Sequence, residues 1–270
     1  MKKGLPLFIL CLLMTASSVE RRQLTFRIAF GYKDARPARF VGDIYEKVQF
    51  VQRLVQPCYE KNQYACEFVR AKDDGDWLYR KLKTENGSQL IVSLKVTSSS
   101  ASPDDEANRR DRFQKYLSQI SENNFLTGVR RAEATLYVGH SRDGGGPDFS
   151  PPRLRGNQSV DYFWYQRAKP GLNKLLVALK AKPFSNLDGS RRIRKPILGL
   201  ISCRSTQLFS RTLYRSGRQV ELLSANELVY YTDGLAMTEK AISKVITEAV
   251  TEAVTESSAD ISVDISANTH

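Results

Sequence analysis

Histidine is nearly absent from this chain of 270 residues: there are two, and one is the terminal His270. Cysteines number four, methionines three and tryptophans two. No group of His, Cys, Asp or Glu has metal-ligand spacing, and no glycine-rich phosphate loop is present, so neither a metal centre nor P-loop chemistry has support in the sequence. Zinc-finger spacing, an aromatic-basic strand motif and a helix-turn-helix signature are also missing. That leaves no nucleic-acid module to explain a net charge of +12, and no nucleic-acid partner is expected. Only one long apolar run exists, at the N-terminus, which excludes a multi-span membrane protein. No repeat of three or more units excludes solenoids and propellers.

What remains suits one large α/β domain. The hydrophobic fraction is 41% and the charged fraction 26%, ordinary values that exclude whole-chain disorder, collagen and coiled coil. Lysine and arginine total 41 against 29 acids, so the surface either attracts anions, such as an acidic envelope polymer, or simply stays soluble. Met1-Lys2-Lys3, an apolar stretch from Leu5 to Met14, and Ala16-Ser17-Ser18 read as a signal peptide over 1–18. The expectation is export to a periplasmic or extracellular compartment, with no transmembrane anchor in the mature chain. The domain is expected over 19–250, and 251–270 as a helix extension from the Thr-Glu-Ala-Val repeat followed by a disordered tail.

Cysteine arithmetic follows from that compartment. Cys11 lies inside the apolar stretch and leaves with it. Cys58-Tyr-Glu-Lys-Asn-Gln-Tyr-Ala-Cys66 is a natural small disulfide loop in an oxidising environment, the alternative being two buried free thiols. Either way Cys203 has no partner.

Alternating or continuous apolar residues mark strands at Leu24–Phe30, Cys66–Arg70, Leu90–Val96, Ala132–Gly139, Pro196–Ser202, Val220–Ser224 and Leu228–Thr232, with Trp77–Lys83 either strand or helix. Helical spacing marks Ala38–Val55, Arg112–Phe125, Gly171–Lys180, Ser205–Ser216 and Leu235–Val254. This alternation predicts a mainly parallel central sheet with helices on both faces. The aromatic cluster Tyr162 to Tyr165 reads as core or lid packing, and the basic run Arg191–Lys195 as a solvated loop.

The chemistry gathers at two strand ends. His140 ends one buried strand before a glycine-rich loop, and Cys203 ends another before a helix. The interval between them holds one helical crossover, as neighbouring parallel strands require. In a parallel sheet reactive groups collect beyond the carboxyl ends of the strands. A thiol with an ordinary pKa near 8.5 is mostly protonated at neutral pH, and a nearby imidazole both favours the thiolate and later protonates a leaving amine. Backbone N–H groups at Cys203 and in the Gly139–Gly146 loop are candidate oxyanion donors. Asp143 and Asp148 are candidates for binding a basic substrate side chain.

The blocks Leu136-Tyr-Val-Gly-His140-Ser141 and Leu198-Gly-Leu-Ile-Ser202-Cys203-Arg204-Ser205, with the order of elements from Leu24 to about Val250, resemble the caspase-like cysteine peptidases, nearest in order to CHAT-type domains. The resemblance implies a single caspase-like domain, Cys203 as nucleophile, His140 as general acid/base, Ser141 and Cys203 as oxyanion donors, a peptide or protein substrate and no cofactor. The family's glycine after the histidine is Ser141 here. The caspase Gln-Ala-Cys-Arg-Gly stands as Ile201-Ser202-Cys203-Arg204-Ser205, so specificity for aspartate is not implied. The alternative is a non-catalytic envelope protein of the same fold that binds a peptide or an anionic polymer.

Overall fold

Apolar side chains on alternate residues build one face of the sheet. In β1 (Arg21–Phe30), Leu24, Phe26, Ile28 and Phe30 are buried, and β4 (Gln89–Ser98) runs parallel beside it with Leu90, Val92, Leu94 and Val96 on the same side. Helix α1 (Asp43–Val55) and α7 (Tyr231–Ala267) close over this face through Phe50, Leu54, Ile242 and Ile246. On the opposite face Ala29, Tyr137, Leu198 and Leu200 meet Phe125 of α3 (Gln114–Arg131), Leu172 and Leu175 of α5 (Pro170–Lys180), and Phe209 of α6 (Ser205–Tyr214). The computed structural model describes residues 21–33, 42–60, 63–84, 87–181, 195–217 and 219–267. The expected signal, Arg191–Arg194 and His270 lie outside the described residues.

The strand order is β2 (Val69–Arg70), β3 (Trp77–Lys83), β4, β1, β5 (Ala134–Val138), β6 (Ile197–Ile201), β7 (Glu221–Ser224). From β4 across to β7 every neighbouring pair is parallel; β2 and β3 add an antiparallel edge. The central strands β5 and β6 are buried at every position, as strands covered by helices on both faces must be. β7 forms the far edge. The chain turns from β1 outward to β4, then back across β1 to β5, so connections leave β1 and β5 in opposite directions. This makes a crevice at their carboxyl ends, where ligands settle in open α/β sheets. The expectation of an α/β domain with a mainly parallel sheet and helices on both faces is met.

Several boundaries differ from the sequence reading. Trp77–Lys83 is strand, paired to β4. The stretch expected as a strand over Cys66–Arg70 keeps only its last two residues, because Glu67 takes a positive φ of 55° and the N–H groups of Glu67 and Phe68 bond back to Gln56 and Leu54. Residues 228–230 are irregular and Tyr231 opens α7, so Leu228–Thr232 is not a strand; among the described residues β7 pairs with β6 alone. Two short helices escaped the periodicity: α2 (Asp105–Arg110), capped by Asp104 on Ala107 N–H, and α4 (Tyr162–Ala168), capped by Asp161 on Trp164 N–H. Cys58 and Cys66 form a disulfide. Among the described residues no helix is long and apolar enough to cross a membrane.

Candidate functional site

β5 and β6 pair in register with Val138 opposite Ile201, and Gly139 N–H donates to Ile201 O at 3.1 Å. His140 and Cys203 each follow two residues after that last matched pair. Both segments therefore leave the sheet side by side at its carboxyl edge, and both residues are partly exposed.

Cys203 sits in a tight turn from strand to helix. Arg204 adopts a left-handed φ of 53°, and α6 begins at Ser205, which brings a helix N-terminus to the cysteine. The turn is stitched to the segment between β7 and α7. Arg204 N–H donates to Glu227 O at 2.9 Å, Thr206 N–H to Ala225 O at 3.0 Å, and Ala225 N–H to Ser205 Oγ at 2.8 Å. The same segment aims Val229 N–H at Cys203 Sγ, 3.5 Å away. A charged sulfur accepts such a donor better than a neutral one. The irregular backbone at 228–230 thus has a consequence at the cysteine.

His140 is held through its main chain. Its carbonyl accepts the hydroxyl of Tyr137 at 2.9 Å, and Asp148 N–H donates to the same hydroxyl at 3.0 Å. Tyr137 is buried, and burial, reinforced by Asp148, pushes its phenol far above the ordinary range. The ring fits because residue 139 is glycine: a Cβ there would lie 2.5 Å from Tyr137 Oη.

The loop after His140 is closed by its own polar groups. Ser141, 8% exposed, accepts N–H groups of Gly144 and Gly146 at its carbonyl. Arg142 and Asp143 both take left-handed φ values, 45° and 51°. The side chain of Arg142, 1% exposed, pairs with Asp148 at 2.8 Å. Tyr165 donates to the same carboxylate at 3.2 Å, and its phenol is raised to about 12 by burial first and Asp148 second. Burial raises the Asp148 carboxyl, with Arg142 working against it.

The residues expected to bind substrate thus have other occupations. Asp148 is engaged by Arg142 and Ser150 N–H of its own loop and by Tyr165 of α4, while Asp143 is exposed and accepts Gln166 Nε2. The residues expected as oxyanion donors are differently placed: among the described residues neither Ser141 N–H nor Cys203 N–H has an acceptor. Tyr137, Arg142 and Val229 escaped the sequence reading. Tyr137 looks like any buried strand residue, and a backbone N–H has no residue type.

A cleft of about 290 Å³ opens along the same loop between Pro147 and Trp164, and its walls do not include His140 or Cys203. Among the described residues no group of three or more His, Cys, Asp or Glu could hold a metal ion. Comparison with models of known protein families, with curated proteins and with solved structures finds no match.

Proposed function

We propose that this chain is an exported cysteine-dependent hydrolase, a peptidase, in which Cys203 is the nucleophile and His140 the general acid/base. The observation that carries the reading is the register of β5 and β6, which sends the segments of His140 and Cys203 out of adjacent strands at one edge. The helix start at Ser205 and the Val229 N–H on the sulfur add to it. The disulfide Cys58–Cys66 is compatible with export.

In this reading the Cys203 thiolate attacks the scissile carbonyl carbon while His140 carries the proton. The oxyanion accepts the N–H groups of Cys203 and Ser141. Collapse breaks the C–N bond, and the amine leaves with the proton from His140. Water, deprotonated by His140, then hydrolyses the thioester and the proton returns.

Iodoacetamide alkylation of the folded protein, localised to Cys203 by peptide mapping, tests this directly. Cys203 is expected to react about tenfold or more faster than glutathione at neutral pH, and His140→Ala is expected to remove the excess. Equal rates for Cys203 and glutathione, unchanged by His140→Ala, would refute the reading.

A further inference from the structure

Trp77-Leu-Tyr-Arg-Lys-Leu-Lys83 reads as strand or helix in sequence, and the structure makes it β3. A strand sorts its side chains with period two. Leu78 and Leu82 join the core under α1 and α7. Trp77, Tyr79, Lys81 and Lys83 therefore stand in one row on the opposite face. There α3 packs over β1 and β4, and β3 lies beyond it. Tyr79 is 39% exposed, Lys81 and Lys83 are exposed, and Trp77 is half-buried. The register carries the row sideways: Trp77 is opposite Lys95 of β4, and Lys95 is opposite Arg27 of β1. The Arg27 guanidinium and Lys95 Nζ lie 5.1 and 5.4 Å from the centre of the indole. The Tyr79 ring is parallel to it, with 9° between the planes and 6.1 Å between centroids.

These cations are poorly matched by acids. Among the described residues Lys81 and Lys83 have no carboxylate within ion-pair distance, and Lys95 has Asp74 at 3.4 Å. Arg27 donates to Asn124 Oδ1 at 3.1 Å, while its buried Nε has no acceptor among the described residues. Burial, and then the charge of Arg131, lowers the Arg27 guanidinium. Lysine and arginine donate hydrogen bonds and accept none. A phosphodiester backbone accepts and does not donate, and it carries a charge at every nucleotide. The hydroxyls of a polysaccharide would need acceptors as well, which these cations lack. Bases stack on aromatic rings and on guanidinium planes, whatever their sequence. In a duplex the bases are already stacked on one another, so a flat sheet face with rings selects a single strand.

We propose that the outer face of β3, β4 and β1 binds single-stranded nucleic acid, with bases on Trp77 and Tyr79 and phosphates on Lys81, Lys83 and Lys95. This surface is independent of the hydrolase reading. It replaces the expectation of no nucleic-acid partner: the aromatic-basic strand is Trp77–Lys83, and its pattern emerges once the segment pairs with β4.

Fluorescence anisotropy of a labelled oligothymidylate of about twelve nucleotides, titrated with the full chain over a range of salt, tests this. Trp77→Leu and Tyr79→Ala should each weaken binding about fivefold or more and leave the salt slope unchanged. Tyr79 is exposed enough that its variant keeps the fold, which a melting curve checks. Lys81→Gln with Lys83→Gln removes two phosphate contacts and should lower the log–log salt slope by about 1.4. A duplex of the same length should bind more weakly, and heparin, which has no bases, should be indifferent to both ring variants. No binding at low salt, a duplex bound as tightly as the single strand, or oligothymidylate binding that neither ring variant weakens would overturn the proposal. The last result would make this face a general polyanion surface, open to an acidic polysaccharide.

Discussion

Replacing Arg142 by methionine isolates the interaction that closes the loop after His140. The side chains of Arg142 and Asp148 are 1% and 14% exposed and 2.8 Å apart, so the variant leaves a carboxylate buried without its cation. Breaking a buried pair from one side costs about 3–5 kcal/mol. A domain of this size loses about 2–4 °C per kcal/mol, so the melting temperature followed by circular dichroism should fall by about 6–20 °C at neutral pH. The sign of the pH dependence follows from Asp148. Burial already raises its carboxyl in the folded state, and loss of Arg142 removes what opposes that. A carboxyl whose folded pKa lies above its unfolded one stabilises the fold below the unfolded pKa, near 4, and loses that contribution as pH rises through the folded value. The gap between Arg142→Met and the natural chain should therefore narrow toward pH 4–5, by the same linkage. Arg142→Met with Asp148→Leu should recover most of the loss, because no charge is then stranded. A single variant that melts within about 2 °C of the natural chain, or a gap that is constant with pH, would refute the account of this pair.

Two further outcomes concern parts of the fold that frame the site. Gly146→Ala should destabilise by more than about 2 kcal/mol, since it forces a side chain into a left-handed backbone against Leu172, whereas Gly156→Ala, with open space around it, should stay within about 0.5 kcal/mol; urea denaturation of both gives the comparison. Replacing Cys58 and Cys66 by alanine opens a loop of separation 8, for which chain entropy predicts a loss of about 2.5 kcal/mol; calorimetry should show it, and the alkylation rate of Cys203 should not change.

The sheet was legible because its strands carry strong local patterns. Leu24, Phe26, Ile28 and Phe30 alternate against Thr25, Arg27 and Ala29, and the same period repeats in Leu90 to Val96. β5 and β6 read as unbroken apolar runs because helices cover them from both sides. The errors fall where sequence period and tertiary position disagree. Leu228-Val-Tyr-Tyr has the composition of a strand, but it is irregular backbone with Leu228 and Tyr230 exposed, and among the described residues no strand lies beyond β7. Helix α4 is too short for a period to emerge, and it exists because Asp161 caps it.

The candidate site divides along the same line. His140 and Cys203 stood out because a scarce residue type coincided with a strand end, and the register of β5 against β6 follows once those strands are neighbours. What holds them carries no such mark. The Tyr137 hydroxyl bridges His140 and Asp148 across the loop, Asp148 is held by an arginine six residues earlier, and Cys203 is met by a main-chain donor from a segment twenty-six residues later. Each depends on where backbone turns bring distant atoms, and several of those turns rest on left-handed φ values at Arg142 and Arg204, residue types that do not announce them, and at Asp143, a type that adopts them more readily. Such backbone costs about 1–3 kcal/mol per residue and persists only where the surroundings over-determine it. Here the Arg142–Asp148 pair and the stitches from Arg204 and Thr206 to 225–227 do so, and Arg142, Asp143 and Arg204 are three of the six non-glycine residues with positive φ among the described residues, the others being Glu67, Gln158 and Lys169.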